Sequence, residues 1–336
     1  MATKATASTV KSITPSQLEA EGAKPGQVLT FNGSTNTWVP SALPGSDIIS
    51  SVQVTVVGGG GGTGAAYSGV SFPGAGGGEV INRVISLTAG IAYPVEVGVG
   101  GLGGYSHVGN WQGLPEDSDP GSSSRFGSIS AKGGEGVKKW GGYYGYWPGT
   151  TMRVMSGASS GSGFPGALPY TYINAINGGG GGAGGPGERE NSTNSFIQPY
   201  LPFCGAGPGL PSFIEGVNVN NITYFGGGGA GGSGGGGMER GTGGYNTGGT
   251  SFWYSNFTTT SPQPFPNTGG GAAGLDYDAG YDWNTRNPGR GPGGGSGIVY
   301  LSVPTAKYSG IHTGATVTIY GTKTILKWIQ SGSYTA

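Results

Sequence analysis

Six times along this chain the side chains all but vanish. Glycine-rich tracts occupy residues 58–62, 76–78, 178–187, 226–237, 269–274 and 291–297, and glycine accounts for 78 of 336 residues. Glycine loses more conformational freedom on ordering than any other residue, so such tracts either remain linkers or are held by something other than side-chain burial. Glycine plus the 22 prolines would place an aperiodic chain among low-complexity sequences. Two features point the other way. Aromatic residues make up 11 % of the chain and charged residues only 10 %, whereas disordered chains are poor in the first and rich in the second. The tracts also contain little but Gly and Ala, a purity that a flexible linker does not need.

Strand-like sequence leads directly into the first tract. In "SSVQVTVVGGGGG", Val52, Val54 and Val56 alternate with Gln53 and Thr55, the period of a half-buried strand. A strand and a polyproline-II helix are both extended, so one continues into the other without a sharp turn. The polyproline-II helix has three residues per turn and no internal hydrogen bonds, and five glycines in it span about 15 Å at about 3.1 Å each. Its N–H and C=O groups point outward, and buried ones must find partners. Only chains without Cβ approach closely enough to satisfy one another laterally. The tracts are therefore predicted to pack as polyglycine-II helices and to form a core of their own. They lack the strict three-residue repeat of collagen, and no Lys-Ser or Lys-Thr follows them as in a phosphate-binding loop.

Further strands are predicted at Glu79–Leu87, at "AYPVEVGVGG" with Tyr93, Val95, Val97 and Val99 on one face, and at Ser122–Ala131. Three more lie near the C-terminus in "SGIVYLSV", "ATVTIYG" and "TILKWIQ". Short alternating strands between Gly-rich turns indicate an all-β sandwich. Residues 1–46 read as a separate arm: a short helix capped by Thr14 with Pro15 and Gln17 behind it, then a hairpin in "GQVLTFNGSTNTWVP". The glycine-rich sandwich domain is assigned to residues 47–336. Val28, Leu29, Phe31, Trp38 and Val39 form an apolar set too large for a tail, so the arm is expected to bury them against symmetry copies or a partner protein.

Sixteen basic residues balance sixteen acidic ones, which leaves no electrostatic footprint for nucleic acid or an anionic membrane. Arg240 and Arg290 beside glycines are too few for an RGG-type RNA segment. Cys204, alone, forms no internal disulfide. The segment "MATKATASTVKS" has no apolar core of a signal peptide, and no apolar run is long enough to span a membrane. Catalytic signals are weak. His107 and His312 lie far apart, and no nucleophile elbow is present. Glu116, Asp117 and Asp119 form one acidic cluster, and Asp276, Asp278 and Asp282 another. Neither supplies the bidentate Glu of a calcium loop. Both suit solvated loop acids better than a glycosidase pair. No enzyme activity, metal or cofactor is expected.

Aromatic insertions carry more information. "KKWGGYYGYWPG" holds Trp140, Tyr143, Tyr144, Tyr146 and Trp147; "SFWYSNF" holds Trp253 and Tyr254 with Phe252 and Phe257; "LDYDAGYDW" holds Tyr281 and Trp283 with Tyr277. None has a helical or long strand period, and all lie in insertions beside glycine tracts. Two readings stand. The rings cap the lattice or join chains, or they form a platform for sugar rings, with neighbouring Asp and Asn groups bonding hydroxyls.

The order "VQVTVVGGGGGTGA", "GAGGGEVINRVISLTAGIAYPVEVGVGGLGG", "GSSSRFGSISAKGGEG", further tracts and "GPGGGSGIVYLSV" resembles the glycine-rich domain of phage tail-fibre and other virion structural proteins, and is similar to phage tip adhesins. The hairpin segment also resembles an element common in phage fibres. This resemblance implies a jelly-roll-like β-sandwich bearing polyglycine-II helices in a virion, tail or capsid fibre, made in the host cytoplasm. It implies attachment to other virion proteins through residues 1–46, a homotrimer, and loops facing a host-surface glycan or receptor. A connector that binds only virion proteins, and a polysaccharide depolymerase, are the alternatives.

Overall fold

The computed structural model describes residues 27–32, 37–42, 48–64, 72–104, 117–138, 144–147, 150–153, 156–168, 178–189, 204–217, 224–231, 264–274 and 291–336. The strands are β1 (Gln27–Asn32), β2 (Thr37–Ala42), β3 (Ile48–Val57), β4 (Val80–Thr88), β5 (Ala92–Glu96), β6 (Ser124–Phe126), β7 (Ile129–Ala131), β8 (Tyr144–Trp147) and β9 (Thr150–Arg153). They continue as β10 (Glu188–Arg189), β11 (Cys204–Gly205), β12 (Leu210–Pro211), β13 (Tyr224–Phe225), β14 (Ile298–Pro304), β15 (Ile311–Tyr320) and β16 (Lys323–Thr335). The fold is all-β. The single short helical turn named among these residues is Thr305–Lys307. β1 and β2 pair antiparallel, Phe31 opposite Trp38. The helix expected before them falls outside the described residues, so the arm is not described as a unit.

Eight strands form one antiparallel sheet in the order β4-β3-β14-β16-β5-β6-β7, with β15 on β16. The two layers of the sandwich belong to this one sheet, which folds over so that β6 packs on β3 and β14, and β7 on β3 and β4. β16 makes the crossing. Its residues 323–328 pair with β14 and its residues 332–335 with β5. The crossing coincides with a bulge in β15 between Thr313 and Ala315, a usual way for strands to turn a corner. Gly314 there adopts φ +73°, and a Cβ on Gly332 would sit 2.1 Å from the Thr313 carbonyl oxygen. Between the layers lie Val52, Val54, Val56, Leu87, Val95, Phe126, Leu301, Leu326 and Trp328.

The sequence reading needs three corrections. Thr55 does not face solvent. It is buried and bonds Asn82 Oδ1 and Ser212 Oγ, both at 2.8 Å. The outer face of β3 and β14 is covered by a second core in which Val57, Ile298, Tyr300 and Ile325 meet Ile214, Val217 and Phe225. Ser122–Ala131 is not one strand but the β6–β7 hairpin, turned at Gly127 with φ +55°. The two-residue Gly-Ser loop is the II′ signal. The third strand stops at Glu96, and beyond it the chain takes up the three-residue period. Val99 and Leu102, three apart, therefore share an exposed edge of the tract instead of continuing the face of Val95.

Tyr300 yields a pH prediction. It is buried, and burial pushes its phenol well above the ordinary value of about 10. The neutral form is the one the fold favours, so its contribution is complete below about pH 10 and declines as pH rises towards the folded-state value. Unfolding free energies measured in urea from about pH 9 to about pH 11 should fall more steeply for the native chain than for Tyr300→Phe. The difference approaches about 1.4 kcal/mol per pH unit. Equal slopes would exclude the effect.

Six strands of the sandwich lead into or out of glycine tracts at one edge: β3 at Gly58, β4 at Glu79, β5 at Gly98, β6 at Ser122, β7 at Lys132 and β14 at Gly297. The 58–63 tract shows how they pack. Gly58 and Gly61 donate to Glu79 and Gly76, Gly59 and Gly62 to Ser122 and Asp119, and Gly60 and Thr63 to Gly295 and Pro292, at 2.9–3.0 Å. Each neighbour is met every third residue, the period of a polyglycine-II helix. Three further tracts donate back. Gly134 and Val137 bond Gly59 and Gly62, Gly101 and Gly104 bond Gly60 and Thr63, and Ala272 bonds Gly61. The tract thus has six hydrogen-bonded neighbours, three as donor and three as acceptor. The 74–79 tract repeats the arrangement. It donates to 178–181, 269–272 and 132–135, and accepts from 158–161, Gly229 and 58–61.

Candidate functional site: the far end of the glycine lattice

The registers define two ends of the lattice. At the sheet end, Gly58 bonds Glu79, Gly59 bonds Ser122, Gly78 bonds Gly269 and Gly297 bonds Gly98. At the far end, Gly104 bonds Thr63 and Gly291 bonds Gly104; Ser118 bonds Val137, which bonds Gly62; Ala158 bonds Gly74, which bonds Gly178; and Gly274 bonds Ala230. The chain therefore leaves the described lattice at the far end after residues 64, 104, 138, 168, 189 and 274. It returns to the same end at residues 72, 117, 156, 178, 204 and 291. The short β10–β11 ribbon flanks the fifth of these excursions. A seventh excursion, 232–263, leaves from the far end after Gly231 and comes back near the sheet end. There Gly269 bonds Ser296, and Asn267 N–H donates to Ser296 Oγ.

A small apolar cluster lies at this end. Phe72, Ala75, Val137 and Ala272 are buried together, with Ala158 against them. Thr63 Oγ1 donates to the Pro73 carbonyl at 2.9 Å, and Ser118 Oγ bonds the Gly62 carbonyl. A Cβ on Gly64 would lie 2.4 Å from the Phe72 ring. Ala75 and Ala272 mark where a methyl group has apolar space to enter. The alternation and motif signals of the sequence did not single out these residues; a Phe and a Val abutting glycine tracts were the available hint.

The predicted aromatic residues distribute unevenly over the described structure. Tyr144, Tyr146 and Trp147 lie in the β8–β9 ribbon, opposite Arg153, Thr151 and Thr150 respectively. This ribbon belongs to the excursion from residue 138 to residue 156. Trp140, Tyr143, Trp253, Tyr254, Tyr281 and Trp283 lie outside the described residues. The points of departure are described: the insertions carrying Trp140–Trp147 and Tyr281–Trp283 begin and end at the far end, and the one carrying Trp253 and Tyr254 begins there. Of the predicted acids, Asp117 and Asp119 enter the lattice, where the Asp119 carbonyl accepts from Gly62. Glu116, Asp276, Asp278 and Asp282 lie outside the described residues, as does His107. His312 sits in β15, its ring 6.3 Å from that of Tyr308. Burial, and secondarily the charge of Tyr334, raises the Tyr308 phenol above its ordinary value. Among the described residues, no group of three His, Cys, Asp or Glu is placed to hold a metal, and no helix is long and apolar enough to cross a membrane.

These features define an all-β protein whose sandwich strands extend into a hydrogen-bonded glycine lattice. The glycine-rich domain family matches residues 29–304, most of the chain, and the chain belongs to that family. The match begins within β1, inside the segment 1–46 that the sequence sets apart as an arm. No curated protein matches the chain.

Proposed function

We propose that this chain is a virion structural fibre protein that displays loops on the far end of its glycine lattice to a host-surface glycan. The observation that carries this reading is the convergence of six insertions on that end, two of them rich in aromatic residues. A lattice bonded through its backbone is a stiff base, and loops on a rigid scaffold are where binding residues concentrate. Trp140, Tyr143, Tyr144, Tyr146, Trp147, Trp253, Tyr254, Tyr281 and Trp283 supply the stacking surface for sugar rings. Asp276, Asp278 and Asp282, in the insertion that carries Tyr281 and Trp283, accept hydroxyl hydrogen bonds. On this reading residues 1–46 attach the chain to other virion proteins and hold a homotrimer, the large domain faces outward, and the chain performs no catalysis.

Replacing residues 139–155 by a short Gly-Ser bridge tests the proposal, because the flanking residues Lys138 and Ser156 sit at the same end of the lattice. Particles carrying the variant should assemble with native protein content and lose adsorption to host cells. Normal adsorption would favour a connector that binds only virion proteins. Release of reducing sugar from host polysaccharide by the native chain would point instead to a depolymerase.

A further inference from the structure

The folded sheet leaves three hydrogen-bonding edges, and they are not alike. β7 is three residues long. β4 carries Arg83, and its Asn82 side chain bonds the Pro211 carbonyl and the Phe213 N–H of the segment laid over it. Short strands, edge charges and covering segments are the usual means of keeping an edge from pairing. β15 is neither short nor charged, and beyond its single bulge the covering segment reaches only its last residue, where a Cβ on Gly216 would lie 2.8 Å from the Tyr320 ring. It is ten residues long, pairs only with β16 among the described strands, and reads IHTGATVTIY, without Lys, Arg, Asp, Glu or Pro. From Thr316 to Tyr320 every residue is exposed, with Ile319 at 67 % and Tyr320 at 50 %. Val317 stands opposite Leu326, and Ile319 opposite Thr324. Both Leu326 and Thr324 are buried, so the two apolar residues lie on the inward face, where the core runs out towards the open edge.

We propose that β15 is the docking edge for β15 of a second copy, the two strands pairing antiparallel about a two-fold axis. Charge selects this occupant. A neutral strand meets its own copy without like-charge repulsion, and an antiparallel pair offers each strand the same pattern of donors and acceptors. Thr316 and Thr318 on one face and Val317 and Ile319 on the other supply cross-strand pairs of the stabilising kinds. The pairing joins two sheets into one and covers the apolar lip at Val317 and Ile319. It is independent of the proposed fibre function and of residues 1–46.

The test uses the full chain. Sedimentation equilibrium compares the native protein with Ile319→Lys and with Thr316→Lys, which put a charge on opposite faces of the exposed edge. Each variant should halve the native molar mass, whatever multiple of 33.4 kDa that is, with an unchanged circular dichroism spectrum and a melting temperature that no longer rises with protein concentration through this contact. Cysteines placed singly at Thr316, Val317 and Thr318, in a Cys204→Ser background, should give covalent dimers on mild oxidation at one position or more. An unchanged mass in both lysine variants overturns the proposal, as does the absence of cross-linked dimers from all three cysteine variants. A native chain that is monomeric overturns it too, and a mass that falls to one third reports three-fold association instead.

Discussion

Gly60→Val should abolish the cooperative unfolding transition of the native chain or lower its stability by more than about 4 kcal/mol, the extreme of single substitutions. A Cβ built on Gly60 lies 2.0 Å from the carbonyl oxygen of Gly270 and 2.4 Å from its carbon. Backbone on both sides is fixed by lattice bonds: Gly60 donates to Gly295 and accepts from Gly101, while Gly270 accepts from Gly295. No rotamer change relieves the contact, since neither partner has a side chain to move. Gly228→Val should behave alike, its Cβ falling 2.1 Å from the Gly180 carbonyl oxygen. Gly310→Ala is the control. Gly310 has φ +79° and nothing within 4 Å of its Cβ position, so the substitution carries only left-handed strain of about 1–2 kcal/mol. Chemical denaturation of the three variants separates the cases. Two lattice variants as stable as the control would mean that the tracts are not load-sharing partners of one another.

The same contacts explain why the tracts tolerate so little besides glycine. Each ordered residue opposes folding by about 1–2 kcal/mol of backbone entropy, and an isolated polyproline-II helix has no internal bonds to offset it. Cross-linking to as many as six neighbours returns one or two hydrogen bonds per residue, and the bonds are sheltered because Gly58 to Gly64 are all buried. The strands are what bring the tracts together. Six of them enter the lattice already aligned by sheet pairing, so the register of β3 with β4, Val57 opposite Val80, sets Gly58 beside Glu79.

Strand positions could be read from Val52, Val54 and Val56 and from the three C-terminal runs, because alternation survives wherever side chains exist to alternate. The purity of the tracts made a polyglycine-II core a physical deduction, since no other packing has a use for so many missing Cβ atoms. What could not be read was which tract lies beside which. Glycine carries no side-chain signal for partner choice, and the period of three leaves a trace only where larger residues interrupt a tract, as at Val99 and Leu102. Convergence of the insertions on one end follows from that neighbour list and was hidden with it. The outer face of β3 was misread at Thr55 for a related reason. Its cover comes from residues 210–217, a segment far away in sequence that announces itself by neither length nor period.

Trp328→Ala should destabilise the chain by about 3–5 kcal/mol, the range for removing a fully buried large aromatic side chain, and its effect should concentrate on the crossing between layers. Trp328 is 0 % exposed and is the largest such side chain among the described residues. It sits where β16 stops pairing with β14, opposite Val299, and its ring packs on Phe126 of the other layer at 6.4 Å between centroids. Its indole Nε1–H donates to the Thr313 carbonyl at 2.8 Å, beside the bulge of β15. One side chain therefore ties both layers and the edge strand at the corner. Trp328→Phe keeps one ring in place and loses the hydrogen bond and the rest of the indole volume, a smaller loss of about 1–3 kcal/mol. Hydrogen exchange distinguishes the two variants. In Trp328→Ala, amides of residues 311–320 and 329–335 should lose protection before those of β3 and the 58–63 tract, because the folded-over ribbon loses its anchor while the lattice keeps its bonds. Uniform loss of protection across sheet and lattice would show instead that corner and lattice unfold as one unit.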